Sequence, residues 1–287
     1  METPGLETPN NCPKSPNLDI SFLNLTVSRC PTLTSLLSLG RLRRCCSNKK
    51  YDYKRTNCDD TMISDTILPR KIVSWNIQGL FLYMGQDKTD NIIERIRKMD
   101  GDIVCLQEVF EDELRYEIIE RLSDIYPYYL CGNLEKRYIV GEDSGLLVLS
   151  KKPIHYQNEI ILEDYVFPDR MANKSILYFE SYQLNFAMTH LQSSSIHDSE
   201  SLSKKQIDQI VERSIHKNMI ICGDLNHTSA NDILSIDRNN DVPTCNDEIL
   251  DYILPINYDH FKIVPYVPNF DLARTSDHKP IIGYLSP

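Results

Sequence analysis

From Lys71 onward, short runs of β-branched and apolar residues alternate with longer stretches of helical periodicity. Three stretches, about 88–99, 112–123 and 200–216, place their apolar residues at helical spacing. Helices interleave with strands early and strands dominate later, so the sequence predicts a mixed α/β sheet protein with helices packed outside. The predicted strands cover residues 71–77, 103–106, 145–149, 176–179, 184–188, 219–222, 249–254, 261–266 and 278–284.

One of these runs, Met219 to Cys222, stops at Gly223 and leads at once to Asp224 and Asn226. Polar side chains fixed at the end of a rigid strand make a well-positioned site. Gly, Asp and Asn are also common in turns, so an Asx-type turn is the alternative interpretation. The remaining strand ends decide between the two.

Other apolar strands also lead to polar groups that could reach a common site. Carboxylates and carboxamides are the ligands that Mg²⁺ or Mn²⁺ prefers, and histidines offer proton transfer or hydrogen bonds to phosphate. No cysteine belongs to the set, which argues against zinc. Each residue alone fits a turn, a helix start or a structural histidine, but their joint occurrence favours a site. The set is Asn76, Glu108, His190, Asp224, Asn226, Asp251, Asp277 and His278.

The charge distribution bears on the class of substrate. Residues 1–60 carry 9 Lys and Arg against 6 Asp and Glu, so the remaining 227 residues carry 22 basic and 35 acidic side chains. A strongly acidic domain is poorly suited to long-range attraction of nucleic-acid phosphates. This counts against a nuclease, although a local basic groove would still allow one.

Residues 1–66 differ from the rest in composition. Proline and small polar residues are frequent, which predicts a largely disordered leader ahead of a folded domain over 67–287. Within it, residues 33–50 combine an apolar stretch with a basic cluster and the pair Cys45-Cys46. This pattern suggests peripheral membrane contact, with palmitoylation as one means. A solvated basic tail and a short docking helix are the alternatives.

Cysteine usage and the N-terminal sequence bear on location. The nine cysteines are an odd number, and the five in the first sixty residues lack metal-ligand spacing. No secretory signal and no run long enough to span a bilayer is evident. We expect a cytoplasmic protein with reduced thiols that is not secreted. Association with a membrane is compatible with this location.

The ordered motifs resemble those of the endonuclease/exonuclease/phosphatase superfamily, which has the deoxyribonuclease I-like fold. The resemblance implies a four-layer α/β/β/α sandwich of two packed mixed sheets with outer helices. It extends from about residue 70 to the C-terminus and leaves out the leader. The matching pieces are Ser74-Trp75-Asn76, Leu106-Gln107-Glu108-Val109, Ser144-Gly145-Leu146-Leu147, Thr189-His190, Gly223-Asp224-Leu225-Asn226, Leu250-Asp251-Tyr252 and Ser276-Asp277-His278-Lys279-Pro280.

Within the superfamily, the sequence is most similar to the neutral sphingomyelinases. The likeness lies in Gly85-Gln86, Tyr126-Pro127-Tyr128, Lys174, Thr189-His190-Leu191-Gln192 and Pro243-Thr244. That branch usually has glycine after the lysine, whereas this chain has Ser175. Apurinic endonucleases, deoxyribonucleases, inositol-phosphate phosphatases and tyrosyl-DNA phosphodiesterases share most of the core motifs, so the branch stays open.

The resemblance implies a role for each matching residue. Glu108, helped by Asn76 and with Asp277 nearby, would hold Mg²⁺, with Mn²⁺ as the alternative ion. His278 would be the general base, oriented by Asp251. The remaining roles are water positioning by Asp224, hydrogen bonds to phosphoryl oxygens from Asn226 and His190, and substrate binding by Lys174.

These roles imply a metal-dependent phosphodiesterase in which water attacks phosphorus. Sphingomyelin cleavage to ceramide and phosphocholine is the expected reaction, so we expect a phospholipid rather than nucleic acid as substrate. One alternative is a nuclease or DNA-repair phosphodiesterase. The other is a non-catalytic scaffold, which the presence of every site residue opposes. No obligate protein partner is inferred.

Overall fold

The structure is a computed structural model that describes most of the chain from Leu68 onward. The predicted leader, including residues 33–50, lies outside the described residues except for Lys54 and Arg55. The described part belongs to one compact unit, residues 51–287. The described residues are 54–55, 68–80, 85–135, 142–162, 166, 169–193, 199–214, 218–234, 242–258, 262–269 and 275–286.

Twelve strands are described, and they form two sheets. The first sheet has seven strands in the order β1-β4-β5-β3-β2-β12-β11, and the second has five in the order β10-β9-β8-β7-β6. The strands are β1 Lys54–Arg55, β2 Lys71–Asn76, β3 Ile103–Gln107, β4 Tyr128–Cys131, β5 Leu147–Ser150, β6 Ile154–Ile161, β7 Ser175–Ser181, β8 Leu184–His190, β9 Met219–Asp224, β10 Asp251–Ile256, β11 Lys262–Tyr266 and β12 Ile281–Ser286.

Each sheet contains one parallel pair of strands, and every other described pairing is antiparallel. The parallel pairs are β2 with β3 and β8 with β9. A parallel pair needs a crossover connection, and a helix supplies it in both sheets. Helix α1, Gln86–Met99, connects β2 to β3. Helix α2 is Asp112–Arg121 and follows β3. Helix α3, Ser199–Ser214, connects β8 to β9. The short helix α4, Ala230–Ile233, follows β9.

Alternation along the strands sorts the buried side chains into layers. Ile103 and Cys105 of β3 face the core between the sheets, whereas Val104 and Leu106 face the outer side, as the two-residue period of a strand requires. Cys105 Sγ and Cys222 Sγ of β9 lie 3.3 Å apart, so the two sheets touch at these thiols.

The helices cover the outer faces of both sheets. Ile92 and Ile96 of α1 and Ile118 of α2 join the outer cluster of the first sheet. Ile207 and Ile210 of α3 join that of the second sheet. The layers therefore run helix, sheet, sheet, helix, which confirms the predicted α/β/β/α sandwich. No described helix has the length and apolar character that crossing a membrane requires.

Candidate active site

Strands of both sheets end together at one edge of the sandwich. Asn76 ends β2 and Glu108 directly follows β3, and the parallel pairing of these strands brings the two residues together. In the second sheet, Asp224 is the register partner of both His190 and Asp251. The Asn76 amide donates to Asp224 Oδ2 at 3.0 Å and so joins the two sheets.

His278 and Asp251 form a buried pair. The distance between His278 Nδ1 and Asp251 Oδ2 is 2.8 Å. Thr244 Oγ1 accepts the backbone N–H groups of Leu250 and Asp251, each at 3.1 Å. Trp75 Nε1 donates to the backbone carbonyl of His278 at 2.9 Å. Both partners are therefore anchored by their neighbours, which fixes the orientation of the imidazole.

The two histidines of the site have opposite pKa shifts. Burial acts to lower the pKa of His278, but the charges of Asp251 and Asp224 and the hydrogen bond to Asp251 raise it well above the ordinary value. Burial lowers the pKa of His190 well below the ordinary value, and the positive charge of Lys174 adds to this shift. The two imidazoles therefore differ in proton affinity, His278 binding a proton more tightly than His190, which suits different roles.

Asp224 lies at the centre of the group. Its Oδ2 atom is 3.7 Å from His278 Nε2 and 3.6 Å from His190 Nε2, and its Oδ1 atom accepts the backbone N–H of Asn226 at 3.0 Å. Gly223 precedes it with a φ of 143°, and a Cβ there would lie 1.9 Å from the Thr189 carbonyl oxygen. Only glycine therefore allows β9 to carry Asp224 into the site.

Glu108 adopts a backbone conformation that few non-glycine residues adopt. Its φ is 58°, which typically costs roughly 1–3 kcal/mol. Its carbonyl accepts the Gly79 N–H at 2.9 Å, and a Cβ on Gly79 would lie 2.4 Å from that oxygen. Glu108 Oε1 lies 3.8 Å from His190 Nε2. The left-handed backbone therefore turns this carboxylate toward the second sheet.

Asn76 bridges the carboxylates of Glu108 and Asp224 through its amide nitrogen. Its Nδ2 atom donates to Glu108 Oε1 at 2.9 Å and to Asp224 Oδ2 at 3.0 Å. Its Oδ1 atom accepts the backbone N–H of Gln78 at 3.0 Å. In this orientation Asn76 positions the two acids, and its role as a metal ligand stays a prediction.

The acidic residues fit a hard divalent cation. Burial raises the pKa of Glu108, and it raises the pKa of Asp224 to about 7. The negative charge of Asp277, an exposed residue, raises the Glu108 pKa further. Carboxylates whose charge is disfavoured in this way gain most from a cation, and oxygen ligands suit Mg²⁺. Glu108 and Asp277 are the residues that would hold it.

We expect the affinity for Mg²⁺ to rise with pH through about 7, because Asp224 must lose its proton as a cation binds nearby. Because one proton is displaced, the dissociation constant for Mg²⁺ should rise about tenfold for each pH unit below that value. Titrations of the resting protein with Mg²⁺ at pH 6, 7 and 8 measure this. Asp224→Asn removes the titrating group and is the matched control. A dissociation constant that does not change with pH in the parent protein would contradict the assignment.

Lys174 and Asn226 meet at one backbone carbonyl. Lys174 Nζ and Asn226 Nδ2 each donate to the Leu191 carbonyl at 3.1 Å. The ammonium group is 2% exposed and also lies 3.2 Å from Asp169 Oδ1. Its charge lowers the pKa of Glu108 and of Asp224, so it faces the acidic cluster. The structure thus brings all nine predicted site residues to the same end of the sandwich.

The sequence interpretation missed a second buried lysine. Lys88 is 7% exposed in the first turn of α1, and its Nζ atom donates to the Gln78 carbonyl at 2.6 Å. Burial lowers its pKa, whereas Asp277 and Glu108 raise it, so a second ammonium group lies beside the acids. Its burial could have been predicted from its position, because Lys88 precedes Ile92 by four residues and so lies on the same, buried face of the helix.

A cysteine, Cys245, lies beside the general-base candidate, although the predicted set contains none. Cys245 pairs with His278 in an isolated bridge between backbones. Its sulfur lies within 4.8 Å of ligand atoms of His278 and Asp277. Cys245 sits in a turn and follows no predicted strand, so the search along strand ends missed it.

Arg115, which is fully buried, supports the backbone next to Glu108. Its Nη2 atom donates to the Val109 carbonyl and to Asp143 Oδ2, each at 2.6 Å. The N–H of Val109 in turn donates to the Gly145 carbonyl at 2.9 Å. The guanidinium group therefore connects the loop that contains Val109, next to Glu108, with the loop that contains Asp143.

A model described as the endonuclease/exonuclease/phosphatase family matches residues 73–278. No curated protein matches the sequence.

Solved structures share the fold at low identity. Sphingomyelinase C from Streptomyces griseocarneus has a TM-score of 0.59 and 19% identity, covering 76% of this chain and 99% of that chain. A mutant beta toxin from Staphylococcus aureus with bound magnesium ions has a TM-score of 0.59 and 21% identity, covering 75% and 98%. The human nocturnin catalytic domain with bound sulfate has a TM-score of 0.54 and 17% identity, covering 76% and 94%.

Proposed function

The chain belongs to the endonuclease/exonuclease/phosphatase family, and we propose that it is a Mg²⁺-dependent phosphodiesterase that cleaves the head group from sphingomyelin. The observation that carries the proposal is the hydrogen bond between His278 and Asp251, with His278 Nε2 directed toward Asp224. A carboxylate behind an imidazole, facing a second carboxylate, is an arrangement that activates water.

In the proposed reaction, water attacks phosphorus. Asp224 positions the water, and His278 Nε2 accepts its proton while Asp251 stabilises the imidazolium. The bond from phosphorus to the ceramide oxygen breaks, that oxygen takes up a proton from solvent, and the imidazolium returns its proton to solvent. A Mg²⁺ ion held by Glu108 and Asp277 would supply Lewis-acid stabilisation of a phosphoryl oxygen and offset the carboxylate charge that raises the His278 pKa.

Neutral and cationic donors surround the place where charge develops on the phosphate. His190, whose pKa is lowered by burial, would donate as a neutral imidazole, and Asn226 would donate from its amide. Lys174 is fixed by the Leu191 carbonyl and Asp169, so its charge is held in place before substrate arrives. Donors fixed in advance stabilise a transition state without reorganisation cost.

The proposed lipid substrate is supported by three observations. Two of the similar structures are a sphingomyelinase C and a beta toxin. The sequence after residue 60 has 35 acidic and 22 basic side chains, which disfavours attraction of a polyanion. Residues 33–50 carry the basic and apolar pattern of a membrane contact, so the proposal includes a cytoplasmic enzyme acting at a membrane surface.

An assay of the full chain on three substrates tests the proposal. The substrates are sphingomyelin vesicles, duplex DNA with an abasic site and a small synthetic phosphodiester, each with Mg²⁺ and with excess chelator. We expect Mg²⁺-dependent release of phosphocholine. Cleavage of DNA without cleavage of lipid would favour the nuclease alternative, and no cleavage of any substrate would favour a scaffold.

We expect Glu108→Gln to lower turnover by about 10²-fold or more, since the substitution removes one negative charge from the proposed metal ligands. The amide keeps the shape of the side chain, so the fold should be retained. Mg²⁺ titration should show weaker binding in the variant. Glu113→Gln on α2 is the matched control because that side chain is exposed. Parent-like turnover in Glu108→Gln would remove Glu108 from the mechanism.

A further inference from the structure

Three different ligand types meet at one edge of the proposed active site. The thiol of Cys245, the imidazole of His278 and the carboxylate of Asp277 offer ligand atoms that all lie within 4.8 Å of one another. Cys245 and His278 are each 7% exposed, whereas Asp277 is exposed to solvent. The group therefore has two buried members and one side open to an entering ion.

The segment that carries the cysteine is held against the segment that carries the histidine. The backbone N–H of Cys245 donates to the Glu248 carbonyl at 3.1 Å, and the Glu248 N–H returns a bond to the Cys245 carbonyl at 2.9 Å. Lys279, next to His278, donates its N–H to the Thr244 carbonyl at 2.7 Å. These bonds fix the two ligand-bearing residues relative to each other without an ion.

The sulfur also has a local hydrogen-bond donor. Asn246 Nδ2 lies 3.6 Å from Cys245 Sγ, and a donor at that place orients a sulfur ligand. Asn246 has a φ of 50°, a conformation that asparagine tolerates better than most residues, and it directs the amide toward the sulfur. A ligand supported in this way has the second layer of contacts that metal sites require.

We propose that Cys245, Asp277 and His278 form a binding site for zinc or a cation of similar softness, and that its occupation inhibits the enzyme. One sulfur, one nitrogen and one oxygen ligand suit Zn²⁺, which prefers thiolate and imidazole, far better than Mg²⁺, which prefers oxygen. Three protein ligands leave the fourth tetrahedral position for water. On binding, the Cys245 thiol and the His278 nitrogen that becomes the ligand each release a proton to solvent.

The inhibitory consequence follows from the place of the site. Zinc on His278 Nε2 occupies the lone pair that would accept the proton of water, and zinc on Nδ1 displaces Asp251 from the imidazole. In either position the ion also engages Asp277. This consequence rests on the proposed function of His278, whereas binding of zinc does not. The two are therefore tested separately.

Binding is tested with the resting full-length protein, without substrate. Five cysteines in the leader would also bind zinc, so all variants share a background in which they are serine, namely Cys12, Cys30, Cys45, Cys46 and Cys58. Zinc is titrated against a chelating indicator, and cobalt(II) is used for its thiolate charge-transfer absorption. We expect Cys245→Ser to weaken zinc binding by about tenfold to a hundredfold and to abolish the cobalt absorption.

Matched variants separate this site from the carboxylate site. Cys131→Ser changes a buried thiol of β4 that packs in the outer core, and it should bind zinc as the parent does. Glu108→Gln should also retain zinc affinity. Parent-like zinc binding in both Cys245→Ser and Cys245→Ala would overturn the proposal, and so would loss of zinc in Glu108→Gln alone. Circular dichroism on each variant establishes that it is folded.

Inhibition is measured on the small phosphodiester at a fixed excess of Mg²⁺, with each variant compared with its own zinc-free rate. We expect the concentration of zinc that halves the rate to rise by at least tenfold in Cys245→Ser. An equal response in parent and variant would overturn the inhibitory role. If no variant hydrolyses any substrate, the proposed function fails, and the zinc and cobalt titrations still decide the site.

Discussion

His278→Ala is expected to lower turnover by about 10² to 10⁴-fold, the usual contribution of a general base. The imidazole is the group positioned to accept a proton, with Asp251 at 2.8 Å behind it and Asp224 at 3.7 Å in front. Since the substitution removes the base and leaves the proposed phosphate contacts, kcat should fall far more than KM rises.

The measurement is steady-state hydrolysis of the small phosphodiester with saturating Mg²⁺. His155→Ala provides the control, because His155 lies on β6 and is exposed to solvent. Asp251→Asn should also lower kcat, since it removes the charge that favours the imidazolium. Turnover within twofold of the parent in His278→Ala would show that another group accepts the proton.

Arg115→Met is expected to lower the free energy of unfolding by about 3–5 kcal/mol, the usual cost of breaking a buried ion pair. Arg115 is fully buried, Asp143 is 1% exposed, and the two side chains lie 2.6 Å apart. Methionine fills much of the volume but leaves the Asp143 carboxylate buried without the guanidinium. Urea unfolding followed by circular dichroism gives the free energy.

Arg121→Met is the matched control for this prediction. Arg121 also pairs with acids, Asp90 and Glu117, but its side chain is 41% exposed. Exposed pairs contribute about 0–1 kcal/mol, so this variant should unfold almost as the parent does. In Arg115→Met/Asp143→Leu, no buried charge stays behind, since the other acid beside Arg115, Asp112, is exposed, and much of the stability should return. A double variant no more stable than the single one would show that burial of charge is not the cause.

Much of the fold was predictable because each sheet has a parallel strand pair that is almost completely buried. Runs such as Ile103 to Leu106 and Met219 to Cys222 are apolar on both faces, and their interleaved helices have clear periodicity. Strands β1, β4 and β6 were not predicted, and β1 lies in the stretch interpreted as a leader. β4 has four residues, and β6 is an edge strand whose sequence, from His155 to Glu159, is mostly polar and exposed. Pairing with β7, rather than its own composition, makes β6 a strand.

The site residues that lie directly at the ends of apolar strands were predictable from the sequence. Asp224, Asp251 and Glu108 adjoin apolar runs, so their order along the chain was informative. Lys88 and Cys245 reach the same place from a helix and a turn, and only tertiary packing brings them there. The orientation of an amide such as Asn76 depends on hydrogen bonds across both sheets, which no local pattern contains.

Trp75 gives the molecule an optical probe inside its proposed active site. It is the only tryptophan in the chain, it is fully buried, and its indole N–H holds the carbonyl of His278. Indole emission moves to longer wavelength when water reaches the ring. The emission wavelength of Trp75 in unlabelled protein therefore shifts when the segment that carries His278 separates from β2. Comparison with circular dichroism distinguishes that local opening from global unfolding.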